Sequence, residues 1–86
     1  MTAEEFDEKY NKWLEKGHYG LSISNERQID YLNEVFEGLT LIDGFSFSQI
    51  KSKFGSYRFY CSSNVPLGTQ SKVEAKLKEL ENERIY

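Results

Sequence analysis

Residues 49–62, Gln49-Ile50-Lys51-Ser52-Lys53-Phe54-Gly55-Ser56-Tyr57-Arg58-Phe59-Tyr60-Cys61-Ser62, constrain the fold more than any other part of the chain. Side chains alternate between the two faces of a β-strand, and Gly55 supplies a tight connection between two such strands. The segment therefore reads as a β-hairpin with chemically different faces. Ile50, Phe59 and Cys61 point one way, as a core face does. Lys51, Lys53, Arg58 and Tyr60 point the other way and make a basic, aromatic surface.

The flanking sequence predicts what covers the apolar side. A helix is expected over residues 3–16, because Thr2 and Glu5 have capping-box spacing and Phe6, Tyr10, Trp13 and Leu14 recur at helical intervals; Gly17 is its stop signal. His18 to Ile23 read as a linker. A second helix follows, capped by Asn25 with Gln28 or by Ser24, with Ile29, Leu32, Val35, Phe36 and Leu39 on its apolar face. Asp43-Gly44 is a turn signal, which predicts a short strand Leu39–Ile42 before the strand that begins at Phe45. Phe45 and Phe47 are out of phase with Ile50, so a bulge is expected near Ser48 and Gln49. A further strand runs from Tyr57 to about Ser63. Pro66 and Gly68 mark a loop, and a last helix spans Gln70 to Arg84, capped by Thr69 or Ser71, with Val73, Leu77 and Leu80 as a narrow apolar stripe.

The expected architecture is a single small α+β domain over residues 1–86, in the order helix, helix, two or three antiparallel strands, helix. The first two helices pack on the inner face of the hairpin. A chain of 86 residues has a limited core, and its six Phe, six Tyr and one Trp can each bury roughly 150–250 Å². The predicted core is Phe6, Tyr10, Trp13, Leu14, Ile29, Leu32, Phe36, Ile50, Phe59, Cys61, Val73 and Leu77.

Charge is distributed unevenly. The net charge is −3, yet residues 45–73 hold Lys51, Lys53, Arg58 and Lys72 and no acid, whereas residues 1–44 hold ten acids against four bases. No apolar run approaches the roughly 20 residues that span a bilayer, and the acidic first residues do not fit a signal peptide. One cysteine, Cys61, fits a reducing compartment. A cytoplasmic location without membrane association is expected.

Catalytic constellations are missing from the sequence. Nucleophilic catalysis needs a nucleophile and a base, and His18 with Cys61 is the sole pairing of that kind; His18 lies in the linker and Cys61 faces inward. One Cys and one His cannot supply the usual zinc ligand set. Glu4, Glu5, Asp7 and Glu8 occupy the first turns of a helix, where negative charge suits the macrodipole. Neither an enzyme nor a cofactor is expected.

Residues 49–60 resemble the "QIKEKFGxLRFY" type of hairpin in a group of small uncharacterised bacterial and phage proteins, where one helix precedes the hairpin and another follows it. Ser52 stands where that group often has an acid, and Tyr57 where it often has leucine. The resemblance implies a bacterial or phage origin and carries no mechanism.

Lys51, Lys53, Arg58 and Tyr60 are thus the candidate partner-binding residues. Lysines on a strand face also prevent strand-to-strand aggregation, so a solvated face is the competing reading. Four bases beside an acidic remainder fall short of a nucleic-acid binder's basic stripe, while Arg and Tyr are enriched at protein interface hot spots. The expected function is a non-enzymatic, protein-binding accessory protein, phage-encoded in one version, that inhibits or modulates a host protein. The alternative is a nucleic-acid-associated module using the same hairpin face. Val73, Leu77, Leu80 and Ile85 on the last helix offer a homodimer stripe as a further surface.

Overall fold

A computed structural model describes residues 1–17 and 20–83. The elements are α1 (Ala3–Tyr10), β1 (Gly20–Ser22), α2 (Glu26–Leu39), β2 (Phe47–Lys53), β3 (Ser56–Cys61) and α3 (Leu67–Glu83), with a 3₁₀ turn at Asn11–Trp13 after α1. Helices and one three-stranded sheet make an α+β domain. No helix among the described residues is long and apolar enough to cross a membrane.

Strand order is β1-β2-β3, with β1 parallel to β2 and β2 antiparallel to β3. The sheet is therefore mixed. The expected meander is overturned in its first strand: residues 39–42 form no strand, and the third strand comes from the segment read as a linker. After α2 the backbone keeps turning, with Thr40 N–H donating to Phe36 O, Leu41 N–H to Gly38 O and Ile42 N–H to Leu39 O. Those donors are spent locally and cannot join a ladder. The linker instead contains Leu21-Ser22-Ile23, and Leu21 and Ile23 are both buried.

The bulge falls where the phase change between Phe47 and Ile50 requires it. Phe47 pairs with Cys61 and Gln49 with Tyr60, which leaves Ser48 as the extra residue. Both Phe47 and Ile50 thereby reach the core, at 1% and 0% exposure. The hairpin then runs in register through Ile50 and Phe59, Lys51 and Arg58, Ser52 and Tyr57, and Lys53 and Ser56.

Phe36 on α2 is the hub of the core. Its ring centroid lies 5.0 Å from Phe6, 5.0 Å from Tyr10, 5.5 Å from Phe45, 4.9 Å from Phe47 and 5.7 Å from Phe59. Aromatic pairs at such distances and tilts gain beyond simple burial. These contacts place α1 and α2 on the inner face of the hairpin. Nine of the twelve predicted core residues are fully buried; Trp13, Leu14 and Cys61 are partly buried against the same cluster.

Two helix boundaries differ from expectation. Helix α1 ends at Tyr10, because Leu14 is drawn into a parallel bridge with Phe47 and Glu15 N–H donates to Phe47 O at 2.8 Å. Helix α3 begins just after Pro66, whose carbonyl accepts from Thr69 and Gln70 N–H, so Pro66 opens the helix instead of breaking a loop. The caps are better matched. Thr2 and Glu5 form the reciprocal box, and Asn25 caps α2 by accepting from Arg27 N–H. Gln28 does not return to that cap; it is 2% exposed and donates from Nε2 to Leu77 O at 2.7 Å, tying α2 to α3.

Candidate functional site

All the fully buried apolar residues of β2 and β3 point to the helical side, and the opposite side of the sheet carries the predicted site residues. Lys51 and Arg58 face each other across the ladder, Lys53 stands opposite Ser56, and Tyr60 opposite Gln49. The structure thus brings Lys51, Lys53, Arg58 and Tyr60 together on one uncovered face. Arg58, Lys53 and Tyr60 are exposed and Lys51 is half-buried. The Lys51 ammonium lies 5.8 Å from the Tyr60 ring centroid.

None of Lys51, Lys53 and Arg58 forms an ion pair with a described residue. The first acid after the hairpin is Glu74, on α3, and it is engaged elsewhere: its Oε2 accepts from Phe59 N–H at 2.9 Å, at the outer edge of β3. At the edge of β1 the carboxylate of Asp7 on α1 stands beside Gly20 and the Leu21 backbone N–H. Burial pushes the Asp7 pKa up against the lowering effect of that N–H. Exposed β-edges invite strand pairing, and here a helix-borne carboxylate takes one outward N–H of β3 and another stands beside β1.

The hairpin tip adds a residue that strand alternation alone does not nominate. Phe54 is 95% exposed and has φ of 51°, followed by Gly55 with φ of 79°. Two successive positive φ values are the signature of the two-residue turn that suits strand twist, and its first position favours Asn, Asp or Gly. A bulky residue there is a backbone outlier, costing about 1–2 kcal/mol. Lys53 Nζ lies 5.7 Å from the Phe54 ring centroid. The sequence signal was present in the unusual dipeptide Phe-Gly where Asn-Gly would be ordinary.

Beneath the same end of the sheet, on the inner side, a polar cleft of about 200 Å³ is lined by Ser22, Ser24, Asn25, Ser52, Tyr57 and Glu81. The Tyr57 hydroxyl lies against Gln28, Ser52 and Glu81, and burial raises its pKa. Asn25 Nδ2 is buried without a partner.

Cys61 lies at the end of β3, half-buried, and burial pushes its thiol up to about 11; Glu74 raises it further and a hydrogen bond with Gln70 opposes. A thiol so shifted is a poor nucleophile at neutral pH. His18, its expected partner in any dyad, lies outside the described residues. No group of three or more metal-ligating side chains occurs among the described residues.

The homodimer stripe is not on the surface. Val73, Leu77 and Leu80 are 2%, 0% and 8% exposed and pack inward, because α3 covers β3 and needs that stripe for its own core; Ile85 lies outside the described residues. Comparison of the chain with protein-family models, curated proteins and solved structures gives no match.

Proposed function

We propose that this chain is a non-enzymatic binding protein whose uncovered sheet face docks an acidic region of a partner protein. The observation that carries this reading is the cross-strand pair of Lys51 and Arg58. Like charges directly opposite on neighbouring strands are destabilising, and no described acid offsets these two. A carboxylate from a partner would relieve the repulsion. Arg58 and Tyr60 belong to the residue types that dominate interface hot spots, and the acidic remainder of the chain orients the molecule so that this face meets a negative partner first.

Nucleic acid is less well supported as the occupant. Three cations on the face neutralise few phosphates, and a chain of net charge −3 repels a phosphate backbone elsewhere. The resemblance of residues 49–60 to hairpins of bacterial and phage proteins supports an accessory role in which a host protein is bound and inhibited or modulated. That role rests on analogy.

The test is affinity capture from native bacterial lysate with the parent protein and with Lys51→Glu/Arg58→Glu, each with and without nuclease. A defined protein recovered in stoichiometric amount by the parent, resistant to nuclease and lost with the variant, supports the reading. Equal recovery by both baits, or recovery that disappears with nuclease, sinks it.

A further inference from the structure

We infer that Phe54 is the anchor of this interface, inserted by the hairpin tip into an apolar recess of the partner whose rim carries carboxylates. This inference rests on the reading of the open face as a protein-docking surface and adds the chemistry of the partner's site. Phe54 is 95% exposed and held at φ of 51°. It forms no part of the core cluster, so the turn bears a conformational cost without gaining burial for it. At Gly55 an added Cβ would meet nothing within 4 Å, which means the tip stands clear of the body and can enter a concave surface.

The surroundings of the ring specify the rim. Lys53 approaches the Phe54 ring at 5.7 Å, and attraction between a cation and an aromatic face strengthens when water is removed. Lys51 and Arg58 stand on the same uncovered face, two residues behind Lys53 and Ser56 in the ladder. An aromatic anchor surrounded by positive charge fits a desolvated pocket bordered by acids, the arrangement in which aromatic residues contribute most to affinity. A lipid surface fits less well. One aromatic ring with three cations offers less hold than a single myristoyl chain, whose association constant is itself only about 10⁴ M⁻¹. Stacking on a base is disfavoured by the chain's net negative charge.

Two synthetic peptides of equal length and charge probe the inference, one alternating Glu with Ser and one alternating Glu with Leu. Each is titrated into the ¹⁵N-labelled parent, Phe54→Ser and Lys51→Glu/Lys53→Glu proteins, and binding is followed by amide shifts. The parent should bind the Glu/Leu peptide about tenfold more tightly than the Glu/Ser peptide, the low end of what burying one Phe side chain supplies. Phe54→Ser should keep a folded spectrum and bind both peptides equally, and the charge variant should lose both. A preference for Glu/Leu that survives in Phe54→Ser overturns the anchor alone. Failure of the parent to bind either peptide, or full binding by the charge variant, overturns the docking reading and the anchor with it. The same proteins are mixed with phosphatidylserine/phosphatidylcholine vesicles and with a thymidine 20-mer. Tighter, Phe54-dependent binding to either of these than to the Glu/Leu peptide overturns the assignment to a protein recess.

Discussion

Lys51 on β2 and Arg58 on β3 occupy one directly opposed position on the uncovered sheet face, so two positive charges share a single rung of the ladder. Lys51→Glu converts that rung into an opposite-charge pair. Because the site is partly solvent-exposed, the gain in stability should be modest, about 0.3–1 kcal/mol, and should shrink in high salt. Urea unfolding at low and high salt measures it. Partner capture should fall in the same variant, so stability and binding move in opposite directions.

Phe54→Asn should also stabilise the protein, by about 0.5–1.5 kcal/mol, since Asn tolerates the left-handed backbone that the turn demands. A rise in Tm with unchanged circular dichroism is the expected result. A lower Tm would mean that the Phe54 ring contributes packing its exposure does not reveal.

Phe36 sits among five other rings, and Phe36→Ala should cost about 3–5 kcal/mol. That is a large share of the stability of a domain this small. Chemical denaturation of Phe36→Leu, which retains more volume, should give an intermediate loss, and loss of the cooperative transition is the expected outcome for the alanine variant.

Much of this architecture was legible in the chain. The hairpin, its two faces and the bulge at Ser48 follow from residue phase, which is a local property, and so does the assembly of Lys51, Lys53, Arg58 and Tyr60. Local rules were less sufficient where long-range contacts decided the outcome. Leu21 and Ile23 alternate with serines, yet Gly20 beside them argued for a linker; only the parallel partner Ile50, far along the chain, makes Leu21 part of a strand. Leu14 reads as helical until its bridge to Phe47 is known. Gln28 has the spacing of a cap but spends its amide on Leu77, a contact across 49 residues. Phe54 is not singled out by residue phase, because alternation does not report the sign of φ.

The Cys61 thiol, raised to about 11 by burial, should react slowly with Ellman's reagent at pH 8. The urea-unfolded protein should react at least about tenfold faster, as an ordinary thiol has more thiolate at that pH. The folded pKa lies above the unfolded one, so the neutral thiol's contribution to stability is present below about pH 8.5 and is lost as pH rises toward 11.

Asp7 gives a second pH signature. Burial raises its pKa in the folded protein, so its contribution is most favourable when protonated and is lost as pH rises through its folded value. Asp7→Asn keeps an acceptor for Leu21 N–H and removes the charge. The difference in Tm between variant and parent should be near zero at about pH 3 and positive at neutral pH, the change beginning at the ordinary carboxylate pKa of the unfolded chain and ending above it, at the raised folded value. A variant less stable at neutral pH would show that the charged hydrogen bond outweighs desolvation.

Because Glu74 holds an outward N–H at one edge of the sheet and the Asp7 carboxylate stands beside the other, the main chain offers a poorer template for adding a further strand. Whatever meets this protein at the hairpin must read its side chains. None of Lys51, Lys53, Phe54, Arg58 and Tyr60 belongs to the buried cluster, so a handful of codons on this face can be rewritten while the interior that sets the fold stays fixed.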